Sequence, residues 1–290
     1  MTEEQEWTVV TGSTGGIGGE IAKQLASRGD ALVLVNRSQE KSELQRHEIL
    51  SSHPNAIIEN VYADLMDAKQ IQAACKLISE LPGRVDALYN NAGILTAEMK
   101  LNAQKIESQF AVNVLASYLF IEGLRDAMAR DQSESSAMIV NFSSSAIQSP
   151  NVLELTKLAR PDSVGGLMTT YAQTKLAATA LAPALAEGLK AQNILIRAID
   201  PGATKTAMTT GPDTSGMPWI IAFLAPLLFA PANKQAKKVI ESAAPSALDG
   251  KTGIYVANRK EKKLPFSINR DTVQSDLLEL LSRLSSEALA

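Results

Sequence analysis

The sequence predicts an α/β fold, a doubly wound parallel sheet of about seven strands with helices on both faces, and three observations carry that expectation. Short apolar, β-branched runs alternate with amphipathic helical stretches from the first residues onward. The runs hold too few polar positions for a solvated face, as central parallel strands require. No repeat, low-complexity tract or linker interrupts the alternation, so residues 1–290 are expected to form a single domain.

Composition narrows the class. At 45% apolar residues the chain can bury a full core. A formal charge of −3, with Lys and Arg scattered, gives no basis for nucleic acid or an anionic membrane surface as partner. The single cysteine, Cys75, excludes an intrachain disulfide and fits a reducing compartment. The acidic first residues lack the basic-then-apolar pattern of a secretion signal. The longest apolar stretch, 217–231, is shorter than the ~20 residues of a spanning helix and contains Pro218 and Pro226. A cytoplasmic protein with no transmembrane segment and no metal site is expected.

Taken in order, residues 7–11 form the first strand, followed by Gly12-Ser13-Thr14-Gly15-Gly16-Ile17-Gly18-Gly19 and a helix in which Ile17, Ile21 and Leu25 recur until Arg28-Gly29 stops it. A glycine turn between strand and helix lets a pyrophosphate approach the amides at the positive helix end, and Gly12, Gly16 and Gly18 are the three glycines expected to matter. The second strand, 31–35, ends at Asn36-Arg37-Ser38. A carboxylate there would accept hydrogen bonds from ribose hydroxyls, whereas an arginine pairs with a 2′-phosphate, so Arg37 points to NADP(H) over NAD(H). The third strand, 56–63, closes on Asp64-Leu65, where Asp64 is placed to meet an adenine amine or to cap its own loop. Asp67 then caps a helix to Glu80 with Ile71, Ala74, Leu77 and Ile78 inward.

The fourth strand, 85–89, runs into Asn90-Asn91-Ala92-Gly93, small and polar at the strand end where open parallel sheets bind ligands. A long helix is expected over 102–130, with Ile106, Phe110, Val114 and Leu119 inward and Asn113 among them. A buried amide needs partners at both ends, which helix bending or a bound water would supply. The fifth strand, 137–142, ends in Ser143-Ser144-Ser145. Within a run of helix formers, 169–190, Tyr171-Ala172-Gln173-Thr174-Lys175 sets a phenol and an ammonium one turn apart on the same face. A fixed cation favours phenolate and brings the phenol towards the range of proton exchange at neutral pH. The sixth strand, 193–199, leads to Asp200-Pro201-Gly202-Ala203-Thr204-Lys205-Thr206 and a connection of about thirty residues, longer than ordinary loops. A seventh strand at 253–256 and a terminal helix with Val273, Leu277, Leu281 and Leu284 on one stripe, covering the sheet, complete the chain.

These motifs, in this order from Trp7 to Val256, resemble the short-chain dehydrogenase/reductase family, which has a Rossmann-type fold. The resemblance implies that Tyr171 is the general acid or base and that Lys175 lowers its pKa and holds the nicotinamide ribose. It implies that Ser144 polarises the substrate oxygen, with Ser143 and Ser145 as close rivals, and that Asn113 holds a water in the proton path. Cofactor contacts are implied at Gly12, Ser13, Thr14, Gly16, Ile17, Gly18, Arg37, Asp64, Leu65, Asn91, Ala92, Gly93, Tyr171, Lys175, Pro201, Gly202, Thr204 and Thr206, the last meeting the carboxamide.

Tyr171 follows Ser144 by 27 positions, about twice the separation usual in the family, so residues 150–166 read as an insertion beside the catalytic pocket. With Leu248-Asp249-Gly250-Lys251-Thr252-Gly253, this resembles the retinol-dehydrogenase and protochlorophyllide-reductase-like branch, and implies NADP and a bulky apolar substrate. The apolar stretch 206–231, with Met208, Met217, Trp219, Ile220, Phe223, Leu224, Leu227, Leu228 and Phe229, is expected to act within a substrate lid at about 203–238. Contact with a partner, such as a second subunit in a homo-oligomer, or with a membrane surface is the rival reading of that stretch.

The expected activity is hydride transfer between a nicotinamide and a small-molecule carbonyl or alcohol. A non-catalytic dinucleotide-binding regulator or scaffold is the alternative, but it would have no need of Ser144, Tyr171, Lys175 and Asn113 together. Sugar-nucleotide epimerase or dehydratase chemistry would require a second lobe after the sixth strand, which the chain lacks.

Overall fold

The computed structural model describes residues 5–96, 98–148, 153–163, 166–204, 230–265, 267–268 and 271–290. Strands β1 (Glu6–Thr11), β2 (Ala31–Asn36), β3 (Ile58–Tyr62), β4 (Arg84–Asn90), β5 (Ala137–Phe142), β6 (Ile194–Asp200) and β7 (Ile254–Ala257) pair in parallel, and β8 (Lys260–Lys262) joins the edge antiparallel. Their order is β3-β2-β1-β4-β5-β6-β7-β8. The chain builds outward from β1 in one direction, then crosses to β4 on its other side. The order therefore reverses between β1 and β4, which opens a crevice at their carboxyl ends.

Among the described residues the α-helices are α1 (Gly16–Ala26), α2 (Gln39–Ser52), α3 (Ala68–Ser79), α4 (Ser108–Phe110), α5 (Ala116–Met128), α6 (Leu155–Ala159), α7 (Leu167–Lys190), α8 (Ala232–Ala243) and α9 (Asp271–Leu289). A π-helical turn, Ala111–Leu115, joins α4 to α5. Period-two alternation sends Val9, Val33 and Val35 into a core with Ile71, Phe110, Leu124 and Leu181, and sends Val10, Leu32 and Leu34 into a second core with Ile21, Ile49 and Ile240. Both faces of the sheet are thus covered, which is why β2 and β5 are buried along their whole length.

Several elements depart from expectation. Helix α2 lacks an apolar stripe, burying only Ser42, Gln45 and Ile49, so periodicity was silent about it. Helix α8 does carry a stripe, Ala236, Val239, Ile240 and Ala243, and packs on α1. Residues 232–238 of the expected lid span therefore belong to a helix of the main fold. The helix expected from 102 begins at Ser108, because Asn102 Oδ1 accepts the N–H groups of Gln104 and Ile106 and holds a turn with Lys105 left-handed. In α3 the inward stripe is Ile71, Ala74, Cys75 and Ile78, while Leu77 is 56% exposed. Helix α9 packs on α7 and α3 instead of on the sheet, forming an extra layer. In the 150–166 insertion, α6 lies against α7 and α9, Glu107 N–H donates to Ala159 O at 2.9 Å, and Arg160 pairs with Glu287 at 2.5 Å. The stretch 205–229, with Thr206 and Trp219, lies outside the described residues.

Arg197, in the middle of β6, is fully buried and, among the described residues, hydrogen-bonds only to carbonyls, those of Ser242, Ala244, Pro245, Ala247 and Lys251. Burial lowers its pKa to about 10. The carbonyl-rich carboxyl end of α8 supplies the partial negative charge that holds the cation. Truncation would leave those oxygens without donors, so Arg197→Met is expected to destabilise the protein by about 3 kcal/mol or more in urea unfolding; a change below about 1 kcal/mol would contradict this reading.

Candidate active site

The crevice is closed at its base by contacts between two turns. Asn91, just past β4, donates from Nδ2 to the carbonyls of Thr11 and Gly12, each at 2.9 Å, and Thr11 Oγ1 accepts Ala92 N–H at 3.1 Å. Gly12 is left-handed at φ +67, and a Cβ there would lie 2.9 Å from Ala92 Cα, so only glycine fits. The space a side chain at Gly18 would need is filled by the Asn91 carboxamide.

Asn36 and α2 brace the same turn. Asn36 Oδ1 accepts Ser13 N–H at 2.7 Å and its Nδ2 donates to Ser13 Oγ at 2.9 Å, while Ser13 Oγ donates to Gln45 Oε1 at 2.9 Å. Ser13, expected to touch a cofactor, is turned inward with no exposed surface. Thr14, Gly15 and Gly16 are exposed, Ile17 half-buried, and a groove beside them is lined by Lys23, Lys41 and Gln45. Arg37 is exposed and makes no hydrogen bond or ion pair among the described residues. Asp64 caps its own turn, Oδ1 accepting Met66 N–H at 3.0 Å, with Leu65 half-buried beside it.

At the other side of the crevice α7 brings the chemical groups together. Lys175 is buried and donates to Phe142 O at 2.7 Å. A Cβ on Gly93 would lie 3.2 Å from Asn113 Oδ1 and 3.6 Å from Lys175 Nζ, which places Asn113, Gly93 and Lys175 in one cluster. The Asn113 amide is satisfied by protein groups: Oδ1 accepts Ile94 N–H at 2.8 Å, and Nδ2 donates to Ile94 O at 3.0 Å and Thr174 Oγ1 at 3.1 Å. Asn113 sits in the π-helical turn, a widening of the helix that recurs at functional sites.

The three serines separate by environment. Ser143 is buried against Thr179, Oγ to Oγ1 at 2.7 Å, and Ser145 is exposed. Ser144 is half-buried and hydrogen-bonds Tyr171. Pro201 and Gly202 are half-buried at the end of β6, and Thr204 is buried, its hydroxyl donating to Gly202 O at 2.8 Å.

Electrostatics differ from expectation in one respect. Burial pushes the Tyr171 phenol up to about 12, the Ser144 hydrogen bond lowers it, and the Asp200 carboxylate raises it. Lys175 does not bring the phenol down here because, lowered to about 8 itself, it is neutral before a phenol at about 12 titrates. Burial lowers Lys175 itself to about 8, with Asp200 opposing. Asp200, Thr174 and Asn36 escaped the sequence reading. The signal for Asp200 was a carboxylate at a strand's carboxyl end immediately before Pro-Gly.

A stability consequence follows with a definite sign. Between pH 8 and the ordinary lysine value of 10.5 the folded protein has released the Lys175 proton and the unfolded chain retains it, so wild-type stability gains as pH rises through that window. Lys175→Met lacks this gain. Urea unfolding of both across the window should show the wild type gaining on the variant, and a constant difference would refute the shifted lysine.

The comparisons with known proteins bear on the family. The family model for short chain dehydrogenases matches residues 6–156. Short-chain dehydrogenase TIC 32 A, chloroplastic, from Brassica napus is 31% identical over 204 residues, covering 68% of this chain and 63% of that protein. Retinol dehydrogenase 13 from Homo sapiens is 29% identical over 200 residues, covering 69% and 59%. The chain therefore spans less than two thirds of the length of these relatives. A blue fluorescent protein from a metagenomic library, solved in complex with NADPH, superposes with a TM-score of 0.66 at 23% identity, over 89% of this chain and 97% of that one. With its family-model match, its ordered motifs and its Rossmann-like sheet, this chain belongs to the short-chain dehydrogenase/reductase family.

Proposed function

We propose that the protein is an NADP-dependent oxidoreductase that moves a hydride between the nicotinamide and a carbonyl or alcohol carbon of a bulky apolar small molecule. The observation that carries this is the convergence of Ser144, Tyr171, Lys175 and Asn113 at the carboxyl edge of the sheet, beside the glycine turn. The residues fit a dinucleotide: the turn keeps Thr14, Gly15 and Gly16 open at the amino end of α1, where backbone amides and the helix dipole favour a pyrophosphate. Arg37 would hold a 2′-phosphate, while Gly12, Ile17, Gly18, Asp64, Leu65, Asn91, Ala92, Gly93, Pro201, Gly202, Thr204 and Thr206 would line the rest of the path. The bound nicotinamide supplies hydride-transfer chemistry.

The chain's own groups supply the proton and the orientation. A phenol held at about 12 keeps its proton at neutral pH, so Tyr171 is ready to act as an acid towards a carbonyl oxygen. Ser144, hydrogen-bonded to it, would orient and polarise that oxygen. Lys175 would hold the ribose hydroxyls and, released from Phe142 O, favour the phenolate left by proton transfer. Asn113 ties this helix to the Ile94 turn through Thr174, and would position a water in the proton path. Met168, 43% exposed one turn before Tyr171 on the same helix face, supports an apolar substrate. The stretch 206–231 would close over it. Among the described residues no helix is long and apolar enough to cross a membrane, and a cytoplasmic location is part of the proposal.

In an assay of NADPH against a panel of aldehydes and ketones, Tyr171→Phe should lose turnover while still binding NADPH, and Lys175→Ala should lose both. Retention of more than about a few per cent of wild-type rate by Tyr171→Phe would remove the tyrosine from its role. Arg37→Ala should weaken NADPH binding by about 1–3 kcal/mol and leave NADH nearly unchanged in titration calorimetry; equal affinity of the wild type for both nucleotides would contradict the assignment.

A further inference from the structure

Asp200 closes β6 on the α7 side of the sheet. The β6–β7 register pairs Ala198 with Tyr255, and two-residue alternation places Asp200 on the same face as both. Its Oδ1 accepts Gly202 N–H at 2.8 Å and its Oδ2 accepts the Tyr255 hydroxyl at 3.4 Å. On the neighbouring strand Phe142 pairs with Ile199, and the Phe142 carbonyl is the one that receives the Lys175 ammonium at 2.7 Å. A buried ammonium and a half-buried carboxylate are therefore held at adjacent strand ends.

We propose that Asp200 is a positioning residue that keeps Lys175 protonated at neutral pH, and so maintains the cation on which Tyr171 depends. The inference deepens the oxidoreductase reading and rests on it for the roles of Tyr171 and Lys175. The physical ground is the poverty of the lysine's surroundings. A dry pocket favours the neutral amine, the single carbonyl partner offsets this only in part, and a fixed negative charge is what favours the ammonium further. Burial pulls the lysine down and the Asp200 charge pulls it back. Asp200 is itself raised by burial, and the Gly202 N–H, the Tyr255 hydroxyl and Lys175 act to keep it ionised. Among the described residues, the titratable groups that face it are Tyr171 and Lys175 from α7 and Tyr255 from β7. Its charge also raises the Tyr171 phenol, so losing it moves both groups in the same direction, towards earlier deprotonation.

The test uses the full chain labelled with [ε-13C]lysine, without cofactor, and follows the Lys175 signal, assigned by its loss in Lys175→Met, across neutral and alkaline pH. Asp200→Asn keeps the shape and removes the charge, and should lower the Lys175 midpoint by about one pH unit. Asp200→Glu should restore a value near wild type. Tyr255→Phe, which removes a hydrogen bond and leaves the carboxylate, should displace the midpoint by less than half as much. If Asp200→Asn does not fold, Asp200→Ser makes the same comparison. An unmoved midpoint without the carboxylate, or equal displacement in Tyr255→Phe, would overturn the proposal, the latter by assigning the effect to packing. The titration needs no substrate. A displaced midpoint in a protein that turns over no carbonyl compound would support the pairing and overturn the oxidoreductase reading. Turnover whose alkaline limb stays in place in Asp200→Asn would overturn the pairing instead.

Discussion

The structure depends on the contact between Asn91 and the backbone of Thr11 and Gly12. A parallel sheet whose strand order reverses must leave a gap between the two turns that diverge at the reversal. Here one side chain spans the gap with two donated hydrogen bonds, and Ala92 N–H adds a third to Thr11 Oγ1. Because Gly12 meets Ala92 backbone to backbone, the two turns approach more closely than side chains allow. The glycine turn and the edge that leads to Asn113 and Lys175 are thereby fixed relative to each other. Asn36 and Gln45 brace the glycine turn from behind, so Ser13 serves the architecture while the following residues remain open.

The proposed catalytic edge is a problem in burial. Removing water from a tyrosine and a lysine drives both towards their neutral forms, the phenol up to about 12 and the amine down to about 8. A neutral, protonated phenol suits the acid step of carbonyl reduction, whereas a neutral amine would deprive the phenolate of its counter-charge. Polar groups stand at neighbouring strand ends, Phe142 O on β5 and Asp200 on β6, the latter proposed to hold the ammonium, and Asn113 couples the π-helical turn to α7 through Thr174. Arg197 meets the same difficulty lower on β6 and is held by carbonyls alone, in a region distant in role from the chemistry.

Much of this was legible in the sequence because backbone constraints write themselves in particular residue types. Glycines marked the first turn, β-branched runs marked the strands, and the one-turn spacing of Tyr171 and Lys175 marked the working face of α7. What was hidden depended on side-chain partners. Helix α2 buries polar residues, so no apolar stripe announced it, although Ser38 at its amino end was a cap signal. Helix α8 had both a stripe and Pro231 before it, but was absorbed into the long connection that precedes it. The choice among Ser143, Ser144 and Ser145 required knowing that Thr179 stands under the first. The direction of the tyrosine shift required knowing how deeply the phenol is buried.

The proposed chemistry at this edge is hydride transfer from NADPH to a carbonyl carbon. The most direct measurement is isotopic: incubation of the protein with NADPH deuterated at the transferable C4 position and a panel of apolar aldehydes and ketones, with mass spectrometry of the alcohols formed. Hydride transfer at this edge should give alcohol carrying one deuterium on the former carbonyl carbon, formed by the wild type and lost in Tyr171→Phe. Tight NADPH binding with no labelled alcohol from any member of the panel, under conditions where the protein is folded, would contradict it.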